Sequence, residues 1–187
     1  MKWFILSCIY FFAAVSLSAQ KKYGFRSQNF VGVLEGNEKT ALQFQTINGC
    51  GCGNWFVGIG TGIDAYLYRS VPLFLSINRD FLIAKKNFFL SFDGGTNFAW
   101  YNRPTNNWSG LISSKFSPSL YWGTGIGYKA FMRNKKDAIV LSLGYSFKQL
   151  KEVQESTVFC LIPPCPNFVE NYNYKTRRVS LRLGWEF

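Results

Sequence analysis

The segment RRVSLRLGWEF, which ends the chain, sets Arg178, Arg182 and Glu186 at successive four-residue intervals. In an extended strand such positions share one face, so two guanidinium groups and a carboxylate stand in one column. Glu35, Gln43, Gln45 and Asp93 take the corresponding face of other strand-like segments. Charges shielded from water need partners, so this set predicts Arg–carboxylate bridges crossing a closed interior. Asp64 and Asp93 are the candidates for a catalytic carboxylate pair, but their reading as hydrogen-bonding interior groups is the stronger one. There is no histidine, which removes the commonest general base and the usual partner of a nucleophilic Ser or Cys. An enzyme is therefore the weakest class of reading, with no catalytic residue, cofactor or metal expected.

The cysteines fall into separate groups. Cys160 and Cys165, in FCLIPPCPNF, would close a small disulfide ring in an oxidising compartment. Cys50 and Cys52, in NGCGCGN, are expected in a turn; a bridge across one residue is strained, and a two-thiol metal site lacks further ligands nearby. Their state stays open. Cys8 sits within an apolar N-terminal run and is preceded by too short an apolar stretch for a lipid-modified cysteine.

That N-terminal run defines the compartment. Lys2 is followed by apolar residues from Trp3 to Leu17 and by the small pair Ser18 and Ala19, after which Gln20, Lys21 and Lys22 turn polar. This is a signal-peptide layout, with residues 1–19 removed and residues 20–187 forming one domain, although Leu17 is large for the third position before the cut. Loss of Lys2 alone lowers the formal charge of +11 by one. The aromatic content of 19% is high for a soluble domain. No later stretch approaches the roughly 18 consecutive apolar residues of a spanning helix, so membrane residence has to come from strands.

Strands are what the remaining sequence spells. Val179, Leu181, Leu183, Trp185 and Phe187 alternate with Arg178, Ser180, Arg182, Gly184 and Glu186. The same period of two runs from Ile139 to Phe147, from Leu120 to Tyr128 and from Trp55 to Ile63, with Gly and Ser on the second face. Weaker segments at 29–35, 40–48, 70–78 and 87–100 complete eight strands, and Pro72 predicts a bulge or kink in the third of these. The connections expected at 36–39, 64–69, 101–116 and 148–174 emerge on one side. Those at 48–54, 79–86 and 131–136 emerge on the other, with both termini. The fold class is all-β: an eight-stranded antiparallel up-and-down transmembrane β-barrel.

The face opposite the aliphatic residues decides between a membrane barrel and a soluble one. A soluble lipocalin-like ligand carrier turns its large apolar residues inward and covers itself in charge. Here the second face is mostly Gly and Ser, a poor soluble exterior and a good lining for a narrow lumen. Aromatics gather at the strand ends: Trp55, Phe88, Tyr128, Trp185 and Phe187 at one side, Trp100, Tyr145 and Phe147 at the other. Two aromatic girdles around an aliphatic band match the two interfaces of a bilayer. Phe56, Phe74, Phe89 and Tyr121 fall on the lumen face, where they cap the barrel ends or mark a slip of register.

The signal peptide, the eight alternating strands and the ending VSLRLGWEF resemble small bacterial outer-membrane β-barrels of the OmpA and OmpX size class. Segments such as GIGTGIDAY and VPLFLSINRDF also resemble uncharacterised outer-membrane barrel families, which carry no activity to transfer. The resemblance implies a bacterial outer-membrane location and an assembly signal at Phe187, Trp185 and Leu183 read by the barrel-assembly machinery. The basic residues on the side of the longer connections are suited to contact with outer-membrane lipid head groups and lipopolysaccharide phosphate. A structural or surface-interaction role follows, with a lumen closed by polar and charged side chains; a narrow gated pore is the alternative within this class. Two connections rich in aromatics and Asn, WYNRPTNNWSG and NFVENYNYKT, have the composition of contact surfaces and name no partner. The dispersed Lys and Arg do not resemble a nucleic-acid footprint. On reduction alone, the peptide carrying Cys160 and Cys165 is expected to gain the mass of two hydrogens. An unchanged peptide would mean free thiols.

Overall fold

The computed structural model describes residues 24–37, 39–100, 111–134, 136–157 and 167–187. The expected signal peptide and the Cys160–Cys165 ring lie outside the described residues. The strands are β1 (Gly24–Gly36), β2 (Ala41–Cys52), β3 (Trp55–Asp64), β4 (Ser70–Ile83), β5 (Lys86–Ala99), β6 (Leu111–Ser117), β7 (Ser119–Phe131), β8 (Ala138–Thr157) and β9 (Asn167–Glu186). Each pairs antiparallel with its neighbours, and β9 returns to β1 through Gln28↔Glu186 to Gly36↔Arg178, which closes the ring.

The nine segments make eight staves. β6 and β7 both pair with β8, β6 at its outer part (Ser117↔Lys151) and β7 below it (Tyr121↔Lys148), with a one-residue offset between the two ladders. Pro118 stands at the break; lacking an N–H, it cannot supply the rung that would join them. Pro72 behaves differently from its expected bulge. The rungs Thr61↔Leu73 and Asp64↔Ser70 keep one register across it, and Pro72 still pairs with Asn97 on its other side. Pairing to β3 lapses between those two rungs, which is the loss a missing donor causes, with no inserted residue.

Four expected connections shorten to strand, the stretch 101–116 among them because its residues from Leu111 on belong to β6. The stretch 79–86 is a hairpin turning at Ala84 and Lys85, whose φ values of 49° and 64° are both left-handed. A two-residue turn of this hand matches the twist of the flanking strands, and it usually takes Asn-Gly, so Ala84 and Lys85 carry little local sign of it. The stretch 48–54 turns at Gly53 and Asn54, with Gly53 at φ 61°, and so places Cys50 and Cys52 on β2. The stretch 148–174 is mostly ladder: β8 and β9 stay paired from Lys148↔Thr176 out to Thr157↔Asn167.

The aliphatic face points outward all round the ring. Val57, Ile59, Leu75, Leu141, Leu143, Leu181 and Leu183 are each about half exposed, and comparable residues occur on the other staves. A belt of this extent would be insoluble in water and is the surface a bilayer accepts. It excludes the lipocalin-type arrangement, which puts these residues inside. Ring pairs mark its ends: Phe88 with Tyr128 at 5.4 Å on the side of the termini, and Trp122 with Tyr145 at 5.7 Å on the other.

Inside, Phe30, Ile47, Phe56, Phe74, Phe89, Tyr121 and Val140 form one buried cluster. The lumen-facing rings are therefore an interior core, with no register slip. Glycine makes room for them: a β-carbon on Gly60 would overlap the Phe74 ring, and one on Gly127 the Phe89 ring. Gly60→Ala and Gly127→Ala are each expected to lower unfolding free energy by about 1–3 kcal/mol through overpacking. Denaturant titration of the protein folded in detergent measures this, and Phe74→Leu should recover part of the Gly60→Ala loss.

Candidate functional site

The lumen carries the polar chemistry, arranged in three tiers along the axis. In the tier nearest the termini, Glu186 accepts from Gln28 Nε2 at 2.6 Å and pairs with Lys129 Nζ at 2.8 Å and Arg26 at 3.6 Å. Asp80 takes the same two cations, Lys129 at 2.8 Å and Arg26 at 3.1 Å. Asn78 donates to Gln28 at 3.0 Å, and Lys129 lies 5.1 Å above the centre of the Phe89 ring. Two cations and two carboxylates balance here.

The middle tier centres on Arg182. It donates to Gln45 Oε1 at 2.9 Å and Ser142 Oγ at 3.1 Å, and its guanidinium lies 3.7 Å from Asp93. Ser76 donates to the other Asp93 oxygen at 2.6 Å, and Gln45 donates to the Tyr121 hydroxyl at 3.0 Å. Every member is buried, so the chain of bonds replaces the water each group gave up.

The far tier is built on Asp64. Its carboxylate is held between Arg178 and Lys148, the latter at 3.2 Å, and it also accepts the Tyr66 amide at 2.9 Å. Lys148 spends its remaining reach on the carbonyls of Tyr66 (2.7 Å) and Tyr68 (3.0 Å) and on Ser70 Oγ (2.8 Å). The connection 65–69 is thereby drawn down over the mouth, with Tyr66 buried and its ring 5.4 Å from the Arg178 guanidinium. Above it, the Tyr68 ring meets Phe116 at 5.6 Å and Tyr174 at 5.4 Å. Glu152, also buried, accepts from Ser114 at 2.5 Å and Tyr174 at 3.1 Å. Desolvation, then the bonds to Tyr68 and Glu152, push the Tyr174 hydroxyl well above the ordinary tyrosine range.

The sequence expectations meet this geometry unevenly. Arg178, Arg182, Glu186 and Asp93 are all inside, although in separate tiers. Glu35 is a correction: its side chain is exposed on the outer face near the rim, where it accepts from Thr40, because Leu34 takes the inward position. Asp64 and Asp93 do not form a catalytic pair, since each is tied to its own cation in its own tier. Lys148, assigned by sequence to a connection, is buried on β8. Continuing the alternation of Ser142, Gly144 and Ser146 by two residues would have found it. Asp80 falls in the expected connection 79–86, since a hairpin without turn residues hides how far a ladder runs, and Lys129 comes directly after Tyr128, the last residue of the alternation read there. Cys50 and Cys52 are free thiols, Cys50 exposed. Leu183, Trp185 and Phe187 lie on the outer face, and Phe187 exchanges both main-chain hydrogen bonds with Ser27, at 3.0 and 2.8 Å.

A closed ring of eight staves with an aliphatic belt, aromatic girdles and a charged interior has the fold of a small outer-membrane β-barrel protein. The outer membrane protein OprG from Pseudomonas aeruginosa is similar in structure, with a TM-score of 0.54 over 89% of this chain and 96% of that one, at 12% identity. Neisserial surface protein A aligns with a TM-score of 0.48, at 16% identity over 88% of this chain and 94% of that one. No family model matches the sequence, and no curated protein matches it.

Removing the carboxylate shared by Arg178 and Lys148 strands two buried cations. Asp64→Asn is expected to cost about 3–5 kcal/mol, while replacing Asp64, Lys148 and Arg178 together by Leu, Met and Met recovers most of that loss. Unfolding of the three proteins in detergent measures both differences, and an Asp64→Asn cost under about 1 kcal/mol would contradict the pairing.

Proposed function

We propose that the chain is a non-enzymatic barrel of the bacterial outer membrane whose lumen is closed and whose work is done at its outer surface. The observation that carries this reading is the lumen itself, filled from end to end by bonded charges and by rings such as Phe56, Phe74 and Phe89. Eight staves leave an interior just wide enough for side chains, and here the side chains occupy it. Among the described residues no group inside is left in an arrangement suited to acyl transfer or hydrolysis, and the chain has no histidine to serve as base.

The outer surface supports a contact role. β6, β8 and the outer part of β9 continue as a sheet beyond the barrel, and Phe168, Val169 and Tyr172 are exposed on it. Apolar and aromatic groups displayed above a membrane are of the kind that bind partners. At the other end, Leu183, Trp185 and Phe187 form the assembly signal read by the barrel-assembly machinery, and lipid and lipopolysaccharide surround the belt.

Purified protein in a planar bilayer is expected to give no large, stable openings, and the Asp64→Ala, Arg178→Ala variant is expected to conduct more than the parent. Large, stable openings of the parent would overturn the closed lumen in favour of a pore. Recovery of the protein in the soluble periplasm without detergent would overturn the membrane reading.

A further inference from the structure

Where the connections on the far side meet, the outer rim holds a cavity of about 510 Å³ lined by Lys39, Leu67, Tyr68, Arg69 and Trp100 with two alanines. The charge of its described lining is of one sign. Lys39 and Arg69 have no acidic partner among the described residues. Glu38, beside Lys39 in sequence, lies outside the described residues; of the described carboxylates, Asp64 is engaged with Lys148 and Arg178 in the lumen and Glu35 with the Thr40 hydroxyl. An ammonium and a guanidinium brought to one concave site with no carboxylate among its described lining make a receptor for a phosphate group, the guanidinium through paired N–H donors and the ammonium as a point charge.

The site is held in shape from below. Lys148 fastens the carbonyls of Tyr66 and Tyr68, Tyr66 N–H is bonded to Asp64, and the Trp100 amide donates to the Arg69 carbonyl at 2.7 Å. Between these anchors Leu67 is kept at φ 61°, a conformation that a leucine holds only when its surroundings impose it. The buried cation of the far tier thus fixes the backbone that presents Arg69, so little ordering remains to be done when a ligand arrives.

Position selects the ligand. Trp100 is 64% exposed on the outer face, and Phe98, 41% exposed, lies one turn of the strand below it toward the aliphatic belt. An exposed tryptophan at the end of such a belt marks head-group level. A lipid whose phosphate rests on Lys39 and Arg69 therefore has its acyl chains running down the belt. We propose that this rim cavity binds the phosphorylated head group of an outer-leaflet lipid of the lipopolysaccharide type. This rests on the outer-membrane reading above, which fractionation tests independently.

The test uses the full mature chain folded in detergent and three probes: bisphosphorylated lipid A, the same lipid with its phosphates removed, and inorganic phosphate. The phosphorylated lipid is expected to bind about tenfold more tightly than the dephosphorylated one, a ratio that the double variant Lys39→Gln, Arg69→Gln abolishes. Arg133→Gln with Lys136→Gln, on the opposite side of the barrel, should leave the ratio unchanged. Strand content and unfolding midpoint, measured alongside, establish that each variant is folded. Equal binding of the two lipids, or a double variant that keeps the preference, would overturn the proposal. Saturable binding of inorganic phosphate at Lys39 and Arg69, without preference between the lipids, would assign the site to a free anion and overturn the lipid as its occupant.

Discussion

The width of an eight-stave ring is the constraint from which the rest of this structure follows. Closing that few strands leaves room for side chains and for little else, so every inward residue must fit against the opposite wall. Large rings fit only where the facing wall gives way, which is why Phe74 and Phe89 lie on Gly60 and Gly127. Charged groups fit only where a partner replaces lost water, which is why the interior ion pairs come in tiers separated by apolar rings. The outward face has no such rule. It needs only to be apolar, and one aliphatic residue does there as well as another.

The tiers differ in how they are held. In the inner two, cations and carboxylates are equal in number, and each tier is a self-contained knot between staves. The far tier has two cations on Asp64 and makes up the difference with neutral oxygens, three of them from the 65–70 segment. A lysine can satisfy its three donors with carbonyls as well as with a carboxylate, and in doing so it ties a connection that would otherwise stand free. Mouth and lumen are in this way one structure, and the shape of the rim is decided by a residue that never reaches it.

The fold was legible because alternation is a strong signal where one face must be apolar and the other small. β3, β7, β8 and β9 all carry it over most of their length. The interior was legible only in part. Arg178, Arg182 and Glu186 stand in a clearly alternating strand, whereas Lys129 and Lys148 sit just where the apolar face fades, and a basic residue near a strand end reads as a turn. Partners across the lumen were beyond reach, since which residues meet depends on the stagger between staves and leaves no local trace. Glu35 shows the limit of parity arguments: one wrong assignment of which residue faces in moves a whole end of a strand to the other side. The hairpin at Ala84 and Lys85 was hidden for a plainer reason, that neither residue is one the turn prefers.

Pro118 divides its stave at the level where the bilayer belt ends. Below it, β7 shares the register of the barrel wall; above it, β6 keeps a register of its own with the outer part of β8. A length change or slip in β6 can end at that seam without passing into the wall, because no rung carries it across. The surface sheet is therefore free to diverge under selection while the membrane scaffold stays constant, and a graft of foreign sequence at β6 would begin from a natural joint.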